Sequence, residues 1–450
     1  MKRLLLHLSL ILFPLWMLAG HITINDTIRG SDIYPGTVHT LQVTIPDQYD
    51  GATPANLYVG LDGILCNAPE VIDDLIGEGV IDPTVGVFLQ PGVIYGEDGK
   101  VVSYNRSNEF DATDDRFARF LETEVLSRVE SLKTPDGRAI KFSSEPARRM
   151  IFGLSSGGIG AFTAAWHRPD LFGKVYTGCG TFVPMRGGEG LQVLVRKSEP
   201  RPLRIFLQDG FQDSWNPLFG SWFEANAMLA SALEFAGYDH CVDWTNGGHS
   251  VSRTSQIFPD VMRWMFRDGT TPIAMPESKN NMLADILVPG ANWKSEESTT
   301  TPRKTKAKNA AYACATYPDG RHRTVARPAT NYLWKEILDN EGKVIIEQPF
   351  YWLHTYNNSV LEVPSMTFDS KGNLWVLSNA GIQICDQNGR VRAILPLPRD
   401  FILTPESSIS IGEGMVSISS PVPGNARIFS RRLNITPAVP GQTPESQGAA

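Results

Sequence analysis

Arg-Arg-Met-Ile-Phe-Gly-Leu-Ser-Ser-Gly-Gly-Ile-Gly-Ala-Phe-Thr-Ala-Ala-Trp, residues 148–166, is the stretch that decides the fold. Met150, Ile151 and Phe152 form the short apolar run of a strand buried on both faces. Gly153-Leu154-Ser155-Ser156-Gly157 then fits G-x-S-x-G, and an Ala-, Phe- and Trp-rich helical stretch follows. A strand, a tight glycine turn and a helix in that order are what a nucleophile elbow requires. Such a turn holds the serine in strained backbone geometry, and its glycines keep Cβ atoms off the neighbouring strand and helix. Ser155 would present its hydroxyl at a helix N-terminus, where the dipole favours a developing oxyanion. A glycine-rich loop without chemistry fits the same five residues, so the rest of the chain has to supply a sheet, a base and an acid.

The sheet is visible on both sides of the elbow. Residues 38–45 (Val-His-Thr-Leu-Gln-Val-Thr-Ile) alternate as a half-buried edge strand does. Residues 56–60 lead as a strand into Leu61-Asp62-Gly63, 69–78 read as a helix, and 84–89 (Thr-Val-Gly-Val-Phe-Leu) as a buried strand. Phe117, Phe120, Leu121, Val125, Leu126 and Val129 share one face of a helix over 117–132. After the elbow come strands at 174–177, 203–207 and 241–245. Helices at 222–236, closed by Gly237, and at 257–266 complete the series. Strands alternating with helices predict a mostly parallel sheet covered on both faces, an α/β architecture.

A serine hydroxyl is a poor nucleophile until a base takes its proton, and the chain has eight histidines. His7 and His21 lie in or beside the N-terminal signal, and His322 and His354 in the C-terminal part. His39 is on the early strand, His240 begins a strand, and His167 ends the elbow helix, pointing away from the serine. His249, in Asn246-Gly247-Gly248-His249-Ser250, falls in the loop after the last strand, and loops at C-terminal strand ends carry the site of a parallel sheet. His249 is therefore the candidate base. The strand at 203–207 runs into Gln208-Asp209-Gly210-Phe211-Gln212-Asp213. Asp213, past the glycine turn, is the candidate acid, and Asp209 is either the alternative acid or a brace for the loop.

The oxyanion needs two backbone N–H donors. Ser156 supplies one, and the loop Asp62-Gly63-Ile64 the other, through Gly63 or Ile64. Arg106 and Glu109 lie in a loop before a helix: they pair to shape the pocket, or Arg106 meets a substrate oxygen, or both form a solvated ion pair. Trp215, Phe219, Trp222 and Phe223 follow the acid turn and either line an aromatic- or sugar-binding cleft or belong to a helix core.

The whole chain sets further bounds. Its 450 residues, 42% hydrophobic and 20% charged, suit more than one globular domain. A formal charge of −7 without a basic block argues against a nucleic-acid partner. Lys2 and Arg3, an apolar run to Leu18, and Ala19-Gly20 read as a cleaved secretory signal over 1–20. They predict a periplasmic or secreted protein without stable membrane insertion. Residues 21–290 form the α/β domain, and 291–309 a polar, proline-containing linker. Residues 310–433 have short strands separated by turn signals (Pro318-Asp319-Gly320, Asn340-Glu341-Gly342, Ser370-Lys371-Gly372-Asn373, Gln387-Asn388-Gly389), the pattern of an all-β module. Residues 434–450, rich in Pro, Gly, Gln and Ala, read as a disordered tail. The five cysteines (Cys66, Cys179, Cys241, Cys314, Cys385) make no C-x-x-C and no metal-ligand cluster.

Taken in order, several stretches between about residues 30 and 270 carry a resemblance. They are Leu-Asp-Gly (61–63), Asn-Arg-Ser-Asn-Glu-Phe-Asp (105–111), Gly-Leu-Ser-Ser-Gly-Gly (153–158), Arg-Pro-Asp-Leu-Phe-Gly (168–173), Gln-Asp-Gly-x-x-Asp (208–213) and Gly-Gly-His (247–249). In that order and spacing they resemble the enterochelin-esterase/esterase D branch of the α/β-hydrolases, which includes feruloyl and acetyl-xylan esterases. The resemblance puts Ser155, Asp213 and His249 in the triad positions. The C-terminal part, through Ser-Lys-Gly-Asn-Leu-Trp-Val (370–376), Gly-Ile-Gln-Ile-Cys-Asp-Gln-Asn-Gly-Arg-Val (381–391) and Ile-Leu-Pro-Leu-Pro (394–398), resembles part of a gluconolactonase/senescence-marker β-propeller. Residues 310–433 are too few for six four-stranded blades. Val363-Pro364-Ser365 also replaces an aspartate that the metal site of such a propeller uses.

The expected protein is thus an exported serine esterase acting on a small-molecule or polysaccharide-linked ester, needing no metal or organic cofactor. Its rivals are a metal-dependent lactonase of the gluconolactonase type, a non-catalytic carbohydrate-binding protein that keeps the fold, and an acyltransferase.

Overall fold

The computed structural model describes residues 20–297 and 313–444. The expected signal (through residue 19) and residues 298–309 of the expected linker lie outside the described residues.

The N-terminal part is a ten-stranded sheet with helices on both faces. Its strands begin with β1 (His21–Arg29), β2 (Val38–Pro46) and β3 (Asn56–Leu61); helix α1 (Ala68–Gly77) leads to β4 (Thr84–Leu89). A hairpin of β5 (Val93–Tyr95) and β6 (Val101–Tyr104) precedes α2 (Arg106–Phe110) and α3 (Arg116–Phe120). A π-helical turn, Leu121–Leu126, joins α3 to α4 (Ser127–Ser131). The elbow is built from β7 (Arg149–Leu154) and α5 (Ser156–His167), followed by β8 (Lys174–Gly178), α6 (Leu191–Lys197) and β9 (Arg204–Gly210). A short hairpin, β10 (Trp215–Asn216) and β11 (Gly220–Ser221), leads into α7 (Trp222–Phe235), β12 (Asp239–Thr245) and α8 (Val251–Met265).

The strand order is β12-β9-β8-β7-β3-β4-β2-β5-β6, with β1 also paired to β2. The six strands from β12 to β4 are parallel, and β2 joins β4 antiparallel. This is the α/β-hydrolase fold. The period of two along each buried strand divides the core: Met150, Phe152, Tyr176 and Phe206 meet α1 and α8 on one face. Ile151, Val175, Ile205 and Leu207 meet α5 and α7 on the other. The expectation that residues 38–45 form an edge strand does not hold: β2 lies between β4 and β5, and β1 pairs along it as well.

The C-terminal part consists of three four-stranded antiparallel sheets. It contains α9 (Asn281–Ile286), β13 (Lys294–Glu297), β14 (Cys314–Thr316), β15 (His322–Val325), β16 (Tyr332–Leu338) and β17 (Val344–Trp352). After these come β18 (Ser365–Phe368), β19 (Leu374–Ser378), β20 (Gly381–Cys385), β21 (Val391–Leu395), β22 (Ser408–Gly412), β23 (Met415–Val422) and β24 (Asn425–Arg432). The four turn signals read from the sequence close β14–β15, β16–β17, β18–β19 and β20–β21, each through a glycine at positive φ. The third sheet runs β22-β23-β24-β13, so a strand from before residue 298 completes a sheet from the end of the chain.

Two boundaries differ from expectation. Residues 281–297 pack with the β region: Leu283 and Ile286 are buried with Trp375, Ile384 and Phe429. Residues 434–444, expected as part of a disordered tail, are held instead; Ile435 is buried, and the Ser370 N–H donates to the Thr436 carbonyl at 3.0 Å. The burial of Ile435 and backbone bonds to Ile286, Pro318, Ser370 and Gly414 outweigh a polar composition here.

The two parts share one continuous apolar core, which runs from the sheet and helices to Leu333, Tyr351, Met366, Leu374 and Ile394. Polar clamps reinforce it: Arg431 forms two 2.6 Å hydrogen bonds to Glu199, and Asn357 bonds Thr113 and Asp114. All five cysteines are free. Among the described residues, no helix is long and apolar enough to cross a membrane.

Candidate active site

Ser155 joins β7 to α5 at φ 59° and ψ −122°, a conformation costing about 1–3 kcal/mol for a residue with a Cβ. The glycines around it are required by contact. A Cβ on Gly153 would lie 2.0 Å from the Gly157 carbonyl oxygen, and one on Gly157 would lie 2.9 Å from Asp62 Oδ2. The Ser155 N–H donates to the Gly178 carbonyl at 2.8 Å, and its own carbonyl accepts the Thr181 N–H at 3.1 Å, so the elbow is stitched to the end of β8.

The loops after β9 and β12 meet Ser155 at the C-terminal edge of the sheet. Ser155 Oγ is 2.9 Å from His249 Nε2, and His249 Nδ1 is 2.6 Å from Asp213 Oδ1. A carboxylate only accepts, so Nδ1 carries the hydrogen and Nε2 is left to accept from the serine hydroxyl. The two loops are also bonded to each other, since the Gln212 N–H donates to the Gly247 carbonyl at 3.0 Å. The structure thus brings together Ser155, His249 and Asp213. Asp209, the alternative acid, lies at the end of β9 behind Asp213 and makes no bond to His249; its Oδ1 accepts the Gly210 N–H at 2.7 Å. Burial works to raise the Asp213 carboxyl, but hydrogen bonds from His249 and Ser214, with the Asp209 carboxyl close by, outweigh it and hold the group below its ordinary value.

Ser156 and Ile64 keep their N–H groups without a hydrogen-bond partner among the described residues. The Gly63 N–H does not: it donates to the Leu89 carbonyl at 3.1 Å, which removes Gly63 from the candidate oxyanion donors. Positive φ at Asp62, Gly63, Cys66 and Asn67 curls this loop over the N-terminus of α5.

The expected Arg106–Glu109 pair is not formed. Arg106 makes a two-pronged bond to Asp62 (2.6 and 2.8 Å), fixing the base of the oxyanion loop. Glu109 is fully buried and accepts from His39 Nε2 (2.9 Å), Asn105 Nδ2 (2.6 Å) and the Gly92 N–H (3.1 Å), so it is out of reach of a substrate. Trp222 is buried, its ring edge-on to His249 with centroids 6.3 Å apart, while Trp215 is 70% exposed on the β10–β11 hairpin.

Thr181 was not legible as a site residue. Its hydroxyl lies 3.3 Å from Ser155 Oγ and accepts the Trp222 Nε1–H at 3.3 Å, linking the aromatic ring beside His249 to Ser155. Only its place three residues past β8, in Gly178-Cys179-Gly180-Thr181, hints at this. Cys179, Asp213 and His249 offer donor atoms within 4.8 Å of one another, the one grouping among the described residues able to hold a metal. The Cys179 thiol is buried, and that burial, with Asp209 and Asp213 nearby, keeps it protonated and a poor ligand.

The model of the Esterase family matches residues 34–325. A search of the curated proteins finds no match. Similar solved structures include a ferulic acid esterase (17% identity, covering 55% of this chain and 99% of that one, TM-score 0.43). They also include the enterobactin esterase of Shigella flexneri (20% identity, 55% and 60% covered, TM-score 0.43). A third is the fluorophosphonate-binding serine hydrolase F of Staphylococcus aureus (14% identity, 55% and 98% covered, TM-score 0.38). The chain spans 60% of the Shigella protein's length, and at this distance none of the three bears on substrate.

Proposed function

The chain belongs to the Esterase family, and from that premise we propose that it hydrolyses carboxylic esters through Ser155, His249 and Asp213. The observation that carries the proposal is the unbroken chain of hydrogen bonds, 2.9 and 2.6 Å long, from the elbow serine through the histidine to a buried carboxylate.

The chemistry follows from that chain. Ser155 Oγ bonds to the ester carbonyl carbon while its proton passes to His249 Nε2, and the carbonyl π pair moves onto oxygen. The oxyanion faces the Ser156 and Ile64 N–H groups, with the dipole of α5 behind them. Asp213 balances the imidazolium and holds its tautomer. The carbon–oxygen bond to the alcohol then breaks as His249 returns the proton to the leaving oxygen. Water, deprotonated by His249, attacks the acyl-enzyme, and collapse releases the acid and the serine hydroxyl.

The substrate is an acyl ester of a carbohydrate or an aromatic acid. This rests on the aromatic and aliphatic side chains Phe211, Trp215 and Leu218, exposed beside the acid loop (56%, 70% and 79%). Export through residues 1–20 belongs to the same proposal and rests on the basic, apolar and small-residue succession alone; the N-terminal sequence of the mature protein tests it. The C-terminal sheets are read as part of a β-propeller with a structural role, because one edge strand of each sheet meets the next sheet's, β14 against β18 and β18 against β22, as successive propeller blades do.

Hydrolysis of p-nitrophenyl acetate by the full chain is the direct test. Ser155→Ala is expected to lower kcat by about 10⁴-fold or more, and the wild-type rate is expected to survive a chelator. Retained activity in the alanine variant would sink the mechanism, and loss of wild-type activity to the chelator would favour the metal-dependent rival.

A further inference from the structure

Asp209 is a buried ionisable side chain beside the triad that the mechanism leaves unused. It ends β9 with no solvent exposure, and the Asp213 side chain in front of it is also fully buried. Asp213 Oδ1 is well supplied, taking the His249 Nδ1–H at 2.6 Å and the Ser214 N–H. Asp209 Oδ1 takes the Gly210 N–H at 2.7 Å. The Oδ2 atom of each residue is buried without a partner, and the two residues share one turn, closed by the Asp213 N–H donating to the Gly210 carbonyl at 2.9 Å, so that each carboxyl acts on the other.

Two ionised carboxylates in such a place would repel strongly and leave two acceptors unpaired. One proton between them removes both penalties. Its owner is set by the remaining contacts: Asp213 has two donors, one of them the His249 imidazole, to stabilise its charge, and Asp209 has a single backbone N–H. We propose that Asp209 is protonated in the resting enzyme and donates a hydrogen bond to Asp213 Oδ2, acting as a positioning residue for the acid of the triad. The inference rests on the triad assignment of the preceding subsection.

The surroundings agree. The groups facing Asp209 are Asp213, with His249 beyond it, the Cys179 thiol and the Gly210 N–H. Burial, together with the hydrogen bond and charge of Asp213, pushes the Asp209 carboxyl up to about 8. The O–H from Asp209 fixes the carboxylate plane of Asp213 and so the direction in which His249 points. It also draws off part of the charge that would otherwise hold the imidazolium.

Two variants and one spectrum test this. Asp209→Leu fills the space but donates nothing. It is expected to lower kcat by about 10- to 100-fold with KM little changed, as a misdirected base does. It should also raise the acid limb of the kcat/KM profile by about half a pH unit or more, because an Asp213 stripped of its donor holds the His249 proton more tightly. Asp209→Asn, whose amide N–H replaces the carboxyl O–H, is expected to return the limb to its wild-type position and kcat to within about fivefold. A leucine variant with wild-type kcat and limb, or an asparagine variant as impaired as the leucine one, overturns the proposal. Infrared difference spectra of wild type against Asp209→Asn at pH 6 provide an arm independent of turnover and of whether the leucine variant folds. A protonated-carboxyl band present only in the wild type supports the proposal, and its absence overturns it. Failure of the wild type to hydrolyse any ester would instead remove the esterase assignment, whatever the spectrum shows.

Discussion

The hydroxyl of Thr181 stands between two groups whose hydrogens are already committed. Trp222 Nε1 only donates, and the Ser155 hydrogen goes to His249 Nε2 at 2.9 Å. The Thr181 hydrogen is thereby left to point at Ser155 Oγ, 3.3 Å away, the atom that gains electron density as its proton departs. Thr181→Val keeps the shape and removes this bond. A kcat loss of roughly fivefold, equivalent to about 1 kcal/mol, is expected, with Thr181→Ser close to wild type; equal kcat for the valine variant would show the contact to be idle. At this scale the meeting of Ser155, His249 and Asp213, the proposed nucleophile, base and acid, was legible because each obeys a local rule: an elbow motif, a loop after a strand, an order along the chain. Thr181 obeys no such rule. Gly63 and Glu109 were misassigned for a related reason, since whether an amide or a carboxylate is free depends on partners such as Leu89 and His39 that lie far away in sequence.

Among the elements, the β10–β11 hairpin joins the acid loop to α7. Asn216 Oδ1 accepts the N–H groups of Leu218 (3.0 Å) and Phe219 (2.9 Å), which stiffens the tip, and Ser221 caps α7 by accepting the Glu224 N–H. Apolar side chains held out on a braced turn next to His249 favour a binding role. Trp215→Ala is therefore expected to raise KM for an aromatic acyl ester by about tenfold while leaving KM for an acetyl ester nearly unchanged; parallel changes for both esters would count against it. The long periodic segments of the sheet and its helices were readable from their apolar spacing. The hairpins β5–β6 and β10–β11 were not, being two to four residues per strand with no period to detect. The role of β2 was misread because an alternating pattern reports burial on one face and says nothing about how many neighbours share its edges.

For the whole molecule, what matters is how the two parts are joined. His354 lies on the seam, where its Nε2 accepts from the Lys197 ammonium at 2.9 Å and its backbone is paired with Gln383. Burial, with Lys197 and Arg196 nearby, pushes the imidazole down to about 4. The folded chain therefore binds this proton more weakly than the unfolded one, and stability falls as pH drops from about 6.5 towards 4. His354→Gln, whose amide oxygen accepts the same ammonium, is expected to remove that part of the slope in thermal melts; an unchanged slope would exclude His354 as its source. The seam was also where the sequence misled most. Lys294-Ser-Glu-Glu297 has a linker's composition, yet the same polar residues suit the exposed strand β13. The pairing of β13 with β24 has a practical outcome. The peptide between residues 297 and 313 is not the only tie between the halves, because α9 and β13 are built into the far side of it. A protease that nicks the chain there should yield two bands on a denaturing gel and a single peak on a sizing column.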